Sequence, residues 1–330
     1  MFRKVALAQV VAILAISPCF GQDWAAKMFK VTEHDFGSVA RGAKSEFRFP
    51  FENLYMEDVH VVSVRTSCGC TTPWVENASL KTYDKGAIVA HFNTDSFHGQ
   101  RGATLYVTID QPFPAEVQLH IRGFIRDDVV VEPGSVQVGS VDQGSGADRS
   151  VAVSYTGGDD WQIADVKSSN PHITAKAVET GRSNGQVSYQ LKVHIDNATP
   201  AGYLNDPLML VTNDAAGQQI PVIVEGVVTP SITVSPPALF LGVIQPGQKV
   251  TKQLVVKGKK PFRIMGVSCN DKSFQFDTSK ETAAKELHLI PVTFTAGADI
   301  GKVVKTIKIE TDQGQTKPEL AAYAVVAAAQ

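Results

Sequence analysis

Apolar and polar residues alternate with a period of two through most of this chain. In EFRFPF, Phe47, Phe49 and Phe51 alternate with Arg48 and Pro50. In VQLHIRGFI, Val117, Leu119 and Ile121 alternate with Gln118, His120 and Arg122. Successive side chains of a strand point to opposite faces, so this period predicts strands with one face on a core and one in water. Between such runs lie Gly99–Gly102, Gly157–Asp160, Asn213–Asp214 and Asp312–Gly314. Their Gly, Asn and Asp residues tolerate positive φ or hydrogen-bond their own backbone, which makes them turns. Past the N-terminus, no long amphipathic helical pattern interrupts the strands.

The pattern also repeats. DFGSV (Asp35 to Val39), QVGSV (Gln137 to Val141) and FLGVI (Phe240 to Ile244) are spaced 102 and 103 residues apart. Further landmarks follow in the same order: VRTSC, VKSSN and VSCND; LYVTID, LMLVTND and IKIETD; VQLHIRGFI, IPVIVEGVV and a degenerate ELAAYAVV. A unit of about 100 residues with roughly seven short strands has the size of an immunoglobulin-like sandwich. The fold expected is therefore all-β, three tandem immunoglobulin-like β-sandwich domains over 27–126, 127–228 and 229–330. The Cys…Trp…Cys core of antibody domains is missing, so Val, Ile, Leu and Phe must fill the cores. Gly37, Gly139 and Gly242 recur in the opening landmark and are read as structural, each allowing a bulge or close approach in the first strand. The junctions, Gly123 to Val131 and Thr229-Pro230, are not Gly/Ser linkers, and they predict a semi-rigid rod.

The N-terminus departs from the pattern. Arg3 and Lys4 precede an apolar run from Val5 to Ile16, broken only by Gln9 and followed by Pro18. This is the layout of a secretory signal peptide over 1–21, with cleavage after Gly21. The run is too short to span a bilayer, and no later stretch does so, which predicts no transmembrane segment after cleavage. Lipid anchoring at Cys19 is the lesser alternative, because Ile16-Ser17-Pro18 resembles a lipobox only loosely. The expected location is secreted or periplasmic. The net charge is −2, and no Lys/Arg cluster supplies the basic face that nucleic acid requires. The partner expected is another envelope protein or a surface polymer, and the oligomeric state is not legible.

Half of the four cysteines stand in TSCGCTTP, at Cys68 and Cys70. An exported compartment is oxidising, so thiols there pair or bind metal. As a staple the pair is poor. Alternate residues of a flat strand lie about 6.6 Å apart, beyond the preferred disulfide span; Gly69 would have to take positive φ to close the ring. Such a ring closes almost no loop. As a metal site, Cys68 and Cys70 suit a soft ion such as Cu(I), or zinc if two further ligands join. His60, His91, His98 and His120 lie in the same repeat, but none has a ligand spacing, and each reads as an exposed or satisfied histidine. As a redox pair, the cysteines lack an evident activating cation, since Arg65 should point to the opposite face. Cys269 reads as a small buried apolar residue, with pairing between chains as the sharper alternative. No nucleophile elbow, His-Glu-x-x-His or phosphate-binding loop is present, and no carboxylate pair declares an acid/base couple. The chain is expected to be non-enzymatic and to need no cofactor.

FGSV (Phe36 to Val39), EFRFPFEN (Glu46 to Asn53) and VRTSCGCTTP (Val64 to Pro73) resemble an uncharacterised bacterial envelope family, a domain of unknown function with a Ser-Cys-Gly-Cys-Thr signature. That family is similar in turn to Hydin/ASH and PapD-like Ig-like domains. The resemblance covers Phe29 to Ile125 and is carried by Phe51-Glu52-Asn53 and Ser67 to Thr71. Repeats two and three match only in strand pattern and opening landmark. The resemblance implies an exported, non-enzymatic Ig-like module and no established substrate. The function expected is binding or scaffolding at the cell envelope, with metal binding or thiol–disulfide exchange through Cys68 and Cys70 as alternatives.

Overall fold

The structure is a computed structural model and describes residues 23–214, 218–279, 283–313 and 318–328. The expected signal peptide over 1–21 and Cys19 lie outside the described residues. Among the described residues, no helix is long and apolar enough to cross a membrane.

A single helical turn, α1 (Asp23–Ala26), precedes an all-β chain. The first repeat contains β1 (Glu33–Arg41), β2 (Glu46–Glu52), β3 (Val59–Thr66), β4 (Thr71–Glu76), β5 (Ser79–Leu80), β6 (Lys85–Phe92), β7 (Gly99–Gln111) and β8 (Ala115–Glu132). One sheet runs β5-β3-β7-β8, with β1 on the far side of β8, and the other runs β2-β6-β4. The alternation seen in sequence is the cause: Phe49 and Phe51 of β2 are buried while Arg48 and Pro50 are exposed. Facing them from the other sheet are Leu105, Val107 and Ile109 of β7 and Leu119 and Ile121 of β8, all in one apolar core. Burying each large side chain contributes about 1.5–3 kcal/mol. Pro50 sits on an edge strand, where its missing N–H breaks no ladder.

The second repeat contains β9 (Val136–Asp142), β10 (Ala147–Thr156), β11 (Ile163–Ser168), β12 (Ile173–Ser183), β13 (Gln186–Ile195), β14 (Gly202–Thr212) and β15 (Gln219–Thr229). Its strands are ordered β11-β14-β15-β9 and β12-β13-β10. The third contains β16 (Ile232–Ser235), β17 (Ala238–Ile244), β18 (Lys249–Phe262), β19 (Ile264–Cys269), β20 (Phe274–Phe276), β21 (Lys285–Thr295), β22 (Gly301–Thr311) and β23 (Glu319–Val326). Its sheets are β17-β23-β22-β19 and β16-β18-β21-β20, closed over a core that includes Leu254, Phe262, Ile290, Phe294 and Ile307. The three repeats thus place equivalent strands in equivalent order.

The chain forms two compact units that part between Val130 and Val131. This lies close to the first division expected from sequence, at 126–127. The second expected division, at 228–229, falls inside the second unit.

In each repeat the strand that carries the recurrent glycine pairs parallel with the last: β1 with β8, β9 with β15, β17 with β23. Each of these pairings slips in register at the recurrent glycine. Gly37, Gly139 and Gly242 have φ of +66°, +74° and +93°, and a Cβ on any of them would meet open space. Backbone conformation therefore selects glycine there, since other L-residues reach this region at a cost. The close approach lies on the partner strand instead. A Cβ at Gly226 would stand 2.7 Å from Gly139 O.

Candidate functional site

The cysteine pair lies in the turn from β3 to β4, beside the loop from β6 to β7. Cys68 and Cys70 are joined by a disulfide with Cα atoms 5.2 Å apart. Cys68 is half-buried, Gly69 is exposed and Cys70 is fully buried among core residues. The turn is bonded on every side. Thr66 Oγ1 donates to Cys68 O at 3.1 Å, and the Cys68 N–H donates back to Thr66 Oγ1 at 3.3 Å. The Ser67 N–H donates to Thr104 O at 3.0 Å, while the Thr104 N–H donates to Ser67 Oγ at 2.9 Å. Asn93, where β6 ends, donates from Nδ2 to Gly69 O at 2.7 Å and from its backbone N–H to Cys70 O at 2.9 Å. Phe97 is partly buried against the same core, and Arg101 stands over its ring with Cζ 5.7 Å from the centroid.

The expected route to ring closure was positive φ at Gly69. The structure closes the ring without it: Gly69 is absent from the positive-φ glycines, and a Cβ there would only touch Phe97 at an ordinary 3.8 Å. The bend comes instead from side chains at positions 66 and 68 hydrogen-bonding the turn's own backbone, a local device of Ser, Thr, Asn and Asp.

Repeat two builds the same turn from different atoms. Ser168 Oγ donates to Asn170 O at 2.9 Å and accepts the Asn170 N–H at 3.1 Å. The His172 N–H donates to Asn170 Oδ1 at 2.9 Å and the Ile173 N–H to Asn170 O at 3.1 Å. In repeat one, the corresponding acceptors are Cys68 Sγ, 3.1 Å from the Cys70 nitrogen, and Cys68 O, 3.4 Å from the Thr71 nitrogen. In repeat three, Asp271 Oδ1 accepts the Ser273 N–H at 2.9 Å and Asp271 O accepts the Phe274 N–H at 3.2 Å. Cys68, Asn170 and Asp271 are therefore equivalent. Cys269 then aligns with Thr66 and Ser168. Its thiol occupies a turn hydroxyl's place, half-buried, and burial pushes its pKa up while the Asp271 N–H opposes this. The Ser273 N–H beside Asp271 holds that carboxyl below the ordinary carboxylate range, with Lys305 3.3 Å away adding to the effect.

With their sulfurs bonded to each other, Cys68 and Cys70 offer no thiolate to a metal in this state. Among the described residues, no three His, Cys, Asp or Glu side chains form a metal-ligand cluster. Of the histidines considered with the pair, His60 Nδ1 lies 2.7 Å from Asp110, His91 Nδ1 3.4 Å from Glu46 and His120 Nδ1 3.1 Å from Thr104 Oγ1, while His98 is exposed. Arg65 does turn away: it pairs with Glu116 at 2.9 Å and covers the Tyr106 ring at 3.9 Å. Sequence reasoning missed Asn93, Phe97 and Arg101. The one signal available for Asn93 was an amide immediately after an apolar strand, where turn residues gather.

Residues 28–125 match the model of a family described as "Protein of unknown function (DUF1573)". The match spans the first repeat. No curated protein matches the chain. Among solved structures, a protein of unknown function from Porphyromonas gingivalis W83 is 11% identical, with 60% of this chain and 100% of that chain covered and a TM-score of 0.25. A chimeric titin Z1Z2-Z1Z2 tandem is 15% identical, with 59% and 97% covered and a TM-score of 0.29. The zebrafish RET cadherin-like domains 1 to 4 are 12% identical, with 88% and 71% covered and a TM-score of 0.23. Likenesses of this strength carry nothing about function, and the sandwich architecture rests on the strand pairings themselves.

Proposed function

We propose that this chain is an exported, non-enzymatic protein of three Ig-like domains, over 27–126, 127–228 and 229–330, that binds or scaffolds at the cell envelope. Its partner is another envelope protein or a surface polymer, and the cysteine-closed end of the first domain makes the contact. One observation supports this most directly. The tip Cys68-Gly69-Cys70 is tied by Thr66, Asn93 and a disulfide, although the equivalent turn in repeat two forms without cysteines. The additional cross-link holds an exposed loop in one shape, and a loop ordered in advance loses less entropy when it binds. The apolar N-terminal run supports export, as does a disulfide at a partly exposed site.

The test is photo-crosslinking in the native host. A benzoylphenylalanine at position 69 has space for its Cβ; one at position 171 places the same probe at the equivalent position of repeat two, exposed like Gly69. A discrete adduct from 69 and none from 171 is expected, together with a mature N-terminus at Gln22. No adduct at 69, or the same adduct from both positions, would sink the binding role of this tip. An N-terminus still at Met1 would sink export.

A further inference from the structure

We propose that the Cys68–Cys70 pair is a thiol-exchange site with a fixed direction: mixed disulfides with a dithiol partner form on Cys68, and Cys70 closes the ring. This goes beyond the binding role and does not depend on it.

Three observations carry the assignment. Access separates the sulfurs, because Cys68 is half-buried beside an exposed glycine while Cys70 is fully buried. Exchange requires an incoming thiolate to reach a sulfur along the S–S axis, so access selects Cys68. Second, the Cys70 N–H is 3.1 Å from Cys68 Sγ, in a site that holds an amide oxygen at Asn170 and a carboxylate oxygen at Asp271 in the other repeats. A position that suits a carboxylate also favours negative charge on sulfur, as hydrogen bonding to a charged form does generally. Third, the S–S bond is not the turn's sole tie. The turn's other hydrogen bonds come from Thr66, Ser67 and Asn93, so opening the ring leaves the two sulfurs in place for reclosure.

One thiolate of the partner dithiol adds to Cys68 Sγ, and the Cys68–Cys70 bond breaks with its electron pair on Cys70 Sγ. That sulfur takes a proton from solvent, with the Thr71 hydroxyl 3.9 Å away. The partner's second thiolate then attacks its own first sulfur, forming the partner disulfide and releasing Cys68 as thiolate, which is protonated in turn. Two electrons and two protons pass from the dithiol to the pair. In reverse, Cys68 attacks a partner disulfide and Cys70 resolves the adduct. An exchange of this kind is stoichiometric.

The test uses the full chain. The disulfide is opened with dithiothreitol under native conditions, and the reduced protein is given a limiting amount of iodoacetamide. Fragmentation mass spectrometry of the tryptic peptide from Thr66 to Lys81 then locates the label. Labelling at Cys68 in at least tenfold excess over Cys70 is expected. In parallel, oxidised glutathione should leave a stable adduct on Cys70→Ser and at least tenfold less on Cys68→Ser in the same time, while reduced wild type recloses and retains none. The wild-type labelling needs no substitution, so the direction is tested even where a variant folds poorly. Equal labelling of the two cysteines, preference for Cys70, or a pair that dithiothreitol fails to open in the folded protein would each overturn the proposal.

Discussion

The turn from Thr66 to Thr71 and its counterpart from Ser168 to Ile173 share one hydrogen-bond plan and differ in the atom at its centre. In both, a hydroxyl braces the backbone two residues on, and the third side chain accepts an N–H two residues further. Repeat two uses an amide oxygen and repeat three a carboxylate. Repeat one uses a sulfur that is also bonded to its neighbour. What the fold requires is an acceptor, and three chemistries supply it. The S–S bond is an addition confined to one repeat, which directs attention to what it does at the surface rather than to the core beneath it.

The largest effect should follow from deleting the acceptor. Asn170→Ala, Asp271→Ala and the double change Cys68→Ala with Cys70→Ser each leave a turn N–H without its partner, at an expected cost of about 1–2 kcal/mol. Denaturant midpoints measure this. A variant with an unchanged midpoint would show that its turn is held by something else and would break the equivalence at that repeat.

The next test separates acceptor from cross-link. Cys68→Asn with Cys70→Ser transplants the repeat-two chemistry into repeat one. It should be about 1 kcal/mol more stable than Cys68→Ala with Cys70→Ser, because both lack the S–S bond and only one restores an acceptor. A three-residue loop limits what the bond itself adds through chain entropy to under about 2 kcal/mol. If the two double variants unfold together, the cross-link and not the acceptor holds the first turn.

The sequence carries some of this comparison and not the rest, for physical reasons. EFRFPF and VQLHIRGFI are readable because a strand with one dry face must alternate. The recurrent Gly37, Gly139 and Gly242 are visible because positive φ restricts the residues that can stand there. Aligning VRTSC, VKSSN and VSCND on Val64, Val166 and Val267 already sets Cys68, Asn170 and Asp271 level, but the shared role becomes evident only from which N–H each accepts. Asn93 was hidden because the pairing of β4 with β6 brings it to Gly69 from 24 residues away. The state of the cysteines was left open because spacing along a straight strand says nothing about a turn that side chains bend.

A smaller effect distinguishes repeat three from repeat two through pH. The folded-state pKa of Asp271 is lowered, first by the Ser273 N–H. Its contribution to stability is therefore present above the unfolded carboxyl pKa of about 3.9 and is lost as pH falls through the lower folded value. Asp271→Asn removes this dependence. Wild type should exceed the variant by about 0.5 kcal/mol at neutral pH, an amount limited by solvent screening, and the difference should close below about pH 4. A difference that is constant from pH 7 to pH 3 would mean that the carboxylate is not what holds this turn.

The smallest expected effect concerns Gly69, and its smallness is the informative result. If the ring needed a glycine to bend, Gly69→Ala would cost about 1–2 kcal/mol, as at a left-handed position. Repeat two places Pro171 at the equivalent position and repeat three Lys272, and proline holds φ near −65°. The plan therefore accepts ordinary backbone here, and the space above Gly69 is open apart from Phe97 at 3.8 Å. Gly69→Ala should shift stability by less than about 0.5 kcal/mol. The glycine would then be explained by what its missing side chain leaves uncovered, the half-buried sulfur of Cys68. A thiol-exchange rate that falls in Gly69→Leu while the unfolding midpoint stays fixed would assign the residue to access; a midpoint that falls in step with the rate would return it to the fold.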